Sequence, residues 1–353
     1  MSALWEALAG LELTIEEYAL ERLELDVSSG FTRVSTVIRL RGADTDGVGE
    51  DVSYDTPDHD RLQDAGPVLS LARTWTLGAF CTHLEGLELW PAPPEKEASR
   101  LYRVWGYESA ALDLALRQAG VSLHERLQIT PRPVRFVVSL RLGEPATMEP
   151  LTARLDRYPA LRFKLDPTND WTPALAAEVA ATGAVESLDL KGQYTGSIVD
   201  VAPDPALYAL LLATFPGVWL EDPHTGVAEI DALIEPVRDR VTWDAIIHGV
   251  ADIENLPCPP KMVNVKPSRL GGLRAVLAAY EYCAAHGIAM YGGGQFELGP
   301  GRGQIQYLAS LFHPDGPNDV APGGYNAPEP AAGLLDSPLA VAVEPTGFRW
   351  TER

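Results

Sequence analysis

Lys164, Asp189, Glu221, Asp244 and Lys266 each stand near the end of a short apolar run. The runs are "LRFKLD" (Leu161–Asp166), "ESLDLKG" (Glu186–Gly192), "GVWLEDP" (Gly217–Pro223), "RVTWDA" (Arg240–Ala245) and "KMVNVKP" (Lys261–Pro267). Neighbouring parallel strands lie about 4.8 Å apart, so three carboxylates at one height would repel one another unless a cation sat among them. Oxygen-only ligands on a short arc, leaving room for water and substrate, suit Mg²⁺ better than zinc. The blander alternative is that each acid is a solvated strand end, or that the lysines simply neutralise the acids. All five at consecutive strand ends favour a site. Alternation along a strand gives Arg162 and Lys164 a common face, and likewise Asp189 and Lys191, and Asn264 and Lys266.

Positioning such groups requires a repeating scaffold. From about Arg132, short β-rich runs alternate with helical segments, the signature of parallel βα units. Besides the five above, the runs are "RFVVSLRL" (Arg135–Leu142), "IAMYGGG" (Ile288–Gly294) and, more weakly, "NDVAP" (Asn318–Pro322). "PALAAEVAATG" and "GLRAVLAAYEYCAAHG" are helix candidates between them, the second stopped by Gly287. Eight units point to a barrel of TIM type, in which catalytic groups sit at the C-terminal strand ends. The preceding region reads as α+β. Strands are expected at Tyr18–Val27 and Phe31–Gly42, joined at Ser28-Ser29-Gly30, and at Gly47–Asp55, giving an antiparallel meander. Helices are expected near Val68–Leu84 and Glu108–Ala119, with the Pro-rich stretch Leu89–Ala98 between them as a surface connection.

Composition narrows the class. The chain has 353 residues, 46% hydrophobic and 22% charged, with 28 Lys plus Arg against 49 Asp plus Glu and a net charge of −21. That balance argues against nucleic acid or an anionic membrane as partner. Cys81, Cys258 and Cys283 lie far apart and form no CxxC pair, so a reducing cytoplasm is the expected compartment. The acidic start "MSALWEALAGLELTIEEYALERLELD" lacks signal-peptide character, and no apolar window is long enough to span a membrane.

"YGGGQFELGPGRGQ" (Tyr291–Gln304) follows the seventh run and opens a helix. Consecutive glycines free backbone N–H groups, and a helix N-terminus attracts anions. A substrate carboxylate or other polar end is therefore expected near Gly293, Gly294 and Arg302, with Glu297 as a supporting acid; a purely structural Gly-rich turn is the alternative. His224 reads as a rim or loop residue, and His286 as a helix-end residue suited to the dipole.

These motifs resemble the enolase superfamily, and within it the muconate-lactonising-enzyme-like subgroup with its o-succinylbenzoate synthase, N-acylamino acid racemase and dipeptide epimerase relatives. "RFK" is similar to the subgroup's KxK motif, with Arg162 in place of the first lysine. "LDLKG" resembles its D-x-N-G segment, "LEDP" its E-[EDQ]-P segment, and "WDA" carries the third acid. "VNVKPSRLGGL" is similar to its I-K-P-s-x-x-G-G-l run, and "VIRLRG…GVGEDVSYD" resembles the G-x-G-E strand of the family's capping domain. Roughly residues 15 to 330 are covered.

The resemblance implies a modified (β/α)7β TIM-type barrel over residues 132–325. It also implies an α+β capping domain over residues 1–131, completed by residues 326–353. It implies Mg²⁺ held by Asp189, Glu221 and Asp244, and Mg²⁺-dependent abstraction of the proton α to a carboxylate with enediolate stabilisation. Lys164 and Lys266 would flank that carbon; a lysine works as a base near neutrality when a crowded cationic site depresses its pKa. With one lysine taking and the other returning the proton, an N-acyl amino acid or dipeptide is racemised or epimerised. A syn elimination or a cycloisomerisation is the alternative. Asp222 would support the site or cap the following helix. Lys191 stands where the family usually has Asn and could bind a substrate anion or pair with a carboxylate. The His–Asp dyad of mandelate-racemase-like members is missing. Ser28-Ser29-Gly30 and Asp55–His59 would close over the barrel mouth. Family barrels often assemble, so a homo-oligomer is compatible. A Schiff-base aldolase using Lys164 or Lys266, and a non-catalytic barrel, are rival classes; the first leaves the aligned carboxylates unexplained.

Overall fold

The computed structural model describes residues 2–26, 31–194, 196 and 199–351, so Ser28-Ser29-Gly30 lies outside it. The N-terminal strands are β1 (Glu12–Ile15), β2 (Glu17–Asp26), β3 (Thr32–Gly42), β4 (Thr45–Asp51) and β5 (Arg73–Thr76). β2, β3 and β4 form the expected antiparallel meander. Ala43 and Asp44, at φ 50° and 58°, make the two-residue turn between β3 and β4, whose left-handed backbone matches the twist of the strands. The long helix Ser99–Gln118 packs on β4. Here the glycines of "GVGE" are needed. A Cβ on Gly47 would lie 2.3 Å from the Ala110 carbonyl oxygen, and one on Gly49 would lie 2.1 Å from that of Gly106. Backbone thus meets backbone, and Glu50 follows at once.

Two helix expectations change. Val68–Leu84 is no continuous helix: "RTWT" is β-branched and aromatic, and it forms β5 against β1. Only then does the helix Leu77–Glu85 start, with Thr76 Oγ1 accepting from Ala79 N. The helix expected at Glu108–Ala119 begins already at Ser99.

The barrel strands are β6 (Val138–Leu140), β7 (Phe163–Leu165), β8 (Val185–Asp189), β9 (Trp219–Glu221), β10 (Val241–Thr242), β11 (Met262–Val265) and β12 (Ala289–Gly292). β6 to β10 form one parallel sheet in chain order, and β11 pairs in parallel with β12. Asn264 N donates to Trp243 O at 3.0 Å and joins the two sheets. The expected eighth strand at Asn318–Pro322 shrinks to two bridged residues. Asn318 bridges Phe136, and Asp319 bridges Gly293, which closes the ring between β6 and β12. Proline at a first helical position, with Thr172 or Asp204 as cap, starts the helices Pro173–Ala181 and Pro205–Thr214 that return the chain between strands.

One hydrophobic core runs from the capping helices into the barrel. Further along, Leu339 pairs with Val134, while Phe348 N and Arg349 Nε donate to the buried Asp113 carboxylate on the helix Ser99–Gln118. Among the described residues the three cysteines are unpaired, and no helix is long and apolar enough to cross a membrane.

Candidate active site

Asp189 ends β8 and lies opposite Glu221 at the end of β9, so the strand pairing itself sets two acids side by side. Thr242 of β10 is in register with Glu221, and Asp244 follows two residues later. Lys164 stands in the middle of β7, and Lys266 directly follows β11. All five are buried. Lys164 Nζ lies 2.7 Å from Glu221 Oε1, 3.3 Å from Asp189 Oδ2 and 3.4 Å from Asp319 Oδ2. Lys266 Nζ lies 2.9 Å from Asp244 Oδ2, whose partner oxygen is 2.6 Å from Arg269 Nη1. Tyr194 OH donates to Asp244 Oδ2 at 3.1 Å, and Tyr291 OH to Glu221 Oε2 at 2.6 Å.

Among the described residues, Asp189, Glu221 and Asp222 each place one carboxylate oxygen within 4.8 Å of those of the other two. Asp244 is turned instead to the two cations of its neighbouring loop, Lys266 and Arg269. Asp222, with φ 46°, does not cap the helix after it: its two oxygens accept from Asp244 N and Ala245 N, each at 2.9 Å. It therefore fixes the backbone that carries Asp244.

The electrostatics follow from burial without enough positive charge. Burial raises the Glu221 carboxyl to about 8, with Lys164 opposing the shift and Asp189, Asp244 and Asp222 adding to it. Burial and the charges of Asp244 and Asp189 raise Asp222 to about 7. Burial would also raise Asp244, but Arg269 and Lys266 hold it well below the usual carboxylate range. The lysines differ. Burial alone would push Lys164 down, yet Glu221, Asp189 and Asp319 hold it well above the ordinary value. Lys266 is lowered, by burial and then by the Arg269 guanidinium. Burial would raise Asp189, but Lys191 and Lys164 hold it below its ordinary value. Asp189 and Asp244 are thus ionised beside a raised Glu221, and a buried set presenting oxygen donors alone fits a hard divalent cation.

Lys191, at φ 54°, lies 2.5 Å from Asp189 Oδ2 and 3.2 Å from Asp166 Oδ2, so it pairs with carboxylates. Arg162 is not brought into the cluster. It precedes β7, and its guanidinium donates to the carbonyls of Ala160 and Leu161. Gly293 borders the site, since a Cβ there would lie 3.1 Å from Lys266 Cε and 2.9 Å from Asn264 Nδ2. Gly294 makes room for an acid: its Cβ would lie 2.1 Å from Glu297 Oε2, which pairs with Arg302 Nη2 at 3.3 Å.

The expected anion position at the helix Pro300–Phe312 is filled by the protein itself. Glu50, from the capping domain, accepts from Leu298 N at 2.7 Å, Gly299 N at 3.0 Å and Gly301 N at 2.9 Å. Arg33, buried on β3, donates to the carbonyls of Gln295 and Phe296 in the same loop. Sequence reasoning also missed Tyr194, Arg269, Tyr291 and Asp319. Arg269, one helical turn beyond Lys266, carried a spacing signal, whereas Tyr291 carried none beyond its place in a strand.

An antiparallel capping sheet over a closed parallel barrel is the fold seen in solved members of the enolase superfamily. It resembles a muconate cycloisomerase from Pseudomonas fluorescens, at 19% identity over 96% of both chains with a TM-score of 0.67. It likewise resembles an enolase-superfamily protein from Listeria innocua, at 18% identity over 88% of this chain and 86% of that one with a TM-score of 0.63. Residues 6–126 match the N-terminal domain, and residues 130–327 the C-terminal domain, of the family described as domain of unknown function DUF8230, and the chain belongs to that family. Its curated relatives are enzymes. An o-succinylbenzoate synthase of Bacillus subtilis (strain 168) is 27% identical over 222 residues, which is 61% of this chain and 58% of that protein. An N-succinylamino acid racemase of an Amycolatopsis species is 30% identical over 236 residues, 62% of this chain and 59% of that protein. The chain thus matches less than two thirds of the length of either relative.

Proposed function

We propose that this chain removes the proton α to the carboxylate of a small acid and returns it to racemise or epimerise a compound such as an N-acyl amino acid or a dipeptide. One observation carries the proposal: Lys164, on the second barrel strand, ends against Glu221 and Asp189, and Lys266, just after the sixth and hence on the opposite wall, ends against Asp244. Asp189, Glu221 and Asp244, the last paired in this structure with Lys266 and Arg269, would hold a magnesium ion, which supplies, when bound, the stabilisation of negative charge on the substrate carboxylate that a lysine alone lacks. One lysine takes the α-proton at its Nζ, and the opposed lysine delivers a proton to the other face of the carbon. Asp222 keeps Asp244 in place, and the barrel wall keeps bulk water from the lysines. A second reading, a syn elimination with one lysine serving both halves, is favoured by the relative named o-succinylbenzoate synthase.

The test is α-proton exchange by NMR in D₂O over N-acyl amino acids, dipeptides and hydroxy acids, with Mg²⁺ and with chelator. Metal-dependent exchange is expected, falling by about 10²-fold or more in Lys164→Ala or Lys266→Ala. Exchange that persists unchanged in both variants would refute the roles given to the lysines. Product analysis on the responding compound then separates racemisation from elimination.

A further inference from the structure

Tyr291 is buried, and its side chain crosses the barrel from β12 to β9. Its hydroxyl donates to Glu221 Oε2 at 2.6 Å and accepts from Thr242 Oγ1 at 3.4 Å, so residues from β10, β12 and β9 form one chain of hydrogen bonds. Lys164 holds the other oxygen of Glu221. These two contacts differ in kind. The ammonium neutralises the carboxylate, whereas the phenol fixes its orientation and leaves its charge available. A turned Glu221 would strand a buried hydroxyl without its acceptor, which the fold disfavours. We infer that Tyr291 is a positioning residue for the cation-binding carboxylate of Glu221, presetting its orientation before the ion arrives. Nothing in the acid and lysine motifs calls for a tyrosine there.

The inference rests on the proposed metal-dependent function, and the test separates the two. Titration calorimetry with MgCl₂ alone compares the full chain with Tyr291→Phe, which removes only the hydroxyl, and with Thr242→Val. Tyr280→Phe is the control, because its buried hydroxyl bonds to His313, at 3.3 Å, rather than to Glu221. Partners that orient a metal ligand are worth roughly 10–100-fold in affinity. Tyr291→Phe is expected to weaken Mg²⁺ by about that factor, Thr242→Val by less, and Tyr280→Phe not at all. Metal-free melting temperatures should drop no more in Tyr291→Phe than in the control. An unchanged Kd in Tyr291→Phe overturns the inference alone. If that variant does not fold, an unchanged Kd in Thr242→Val overturns it. Absence of Mg²⁺ binding to the unmodified chain overturns the metal site and the inference with it.

Discussion

Lys191 holds its ammonium against Asp189, on the carboxylate that a divalent ion would need. A fixed positive charge there opposes a second cation by simple Coulomb repulsion. Lys191→Asn should therefore tighten Mg²⁺ binding by roughly tenfold, about 1.4 kcal/mol, in calorimetric titration. A weaker or unchanged Kd would show that Lys191 is no rival of the ion. Glu108 offers a pH test remote from the acids. It accepts from Leu273 N at 2.6 Å at the start of the helix Leu273–His286, facing Cys81, Glu85 and Arg274. Burial raises its carboxyl from an ordinary 4.5 to about 7. Its native form therefore binds more protons than the unfolded chain between those values, so stability falls as pH rises through that window. Glu108→Gln should flatten this slope and add up to about 3 kcal/mol above pH 7, with no gain below pH 4.5, by urea denaturation. The acids and lysines were legible one by one because each ends a β-rich run. Their partners were not. Arg162 read as a site residue from alternation, yet it precedes β7, where its guanidinium finds carbonyls nearer than any carboxylate.

At the scale of elements, the loop after β12 is held by two charges from another domain. Arg33 takes its carbonyls, and Glu50 takes its N–H groups. Glu50→Ala would leave the amides of Leu298, Gly299 and Gly301 without their acceptor. It should cost roughly 2–4 kcal/mol and speed hydrogen exchange at those amides. Unchanged exchange would mean that the loop holds itself. Gly49→Ala forces a Cβ towards the Gly106 carbonyl and should destabilise by about 3 kcal/mol or more in urea unfolding. The meander and the βα rhythm were readable because their periods are local. The Gly-rich run was read as a bed for a substrate anion near Gly293, Gly294 and Arg302, whereas the amides of Leu298, Gly299 and Gly301 take Glu50, a residue some 250 positions earlier in the chain. No local pattern encodes that distance. The helix expected from Val68 failed for the opposite reason: a short edge strand, specified by its pairing with β1, overrode an apolar run.

For the whole molecule, a net charge of −21 sets a background of self-repulsion. Raising NaCl from about 0.02 M to about 0.3 M shortens the screening length severalfold. The midpoint of thermal unfolding should rise with salt, as followed by circular dichroism; a falling midpoint would mean that screened surface ion pairs such as Arg132–Asp315 outweigh the repulsion. Asp113 adds a constraint of another sort. Its carboxylate receives Phe348 N from 235 residues downstream. During synthesis the capping helix leaves the ribosome long before its partner does. The first domain must therefore wait, with Asp113 holding Val48 N but not yet its C-terminal donors, while the whole barrel is translated. Order of manufacture and order of completion run in opposite directions, so a chaperone that shelters the early domain would act on it until the barrel is closed.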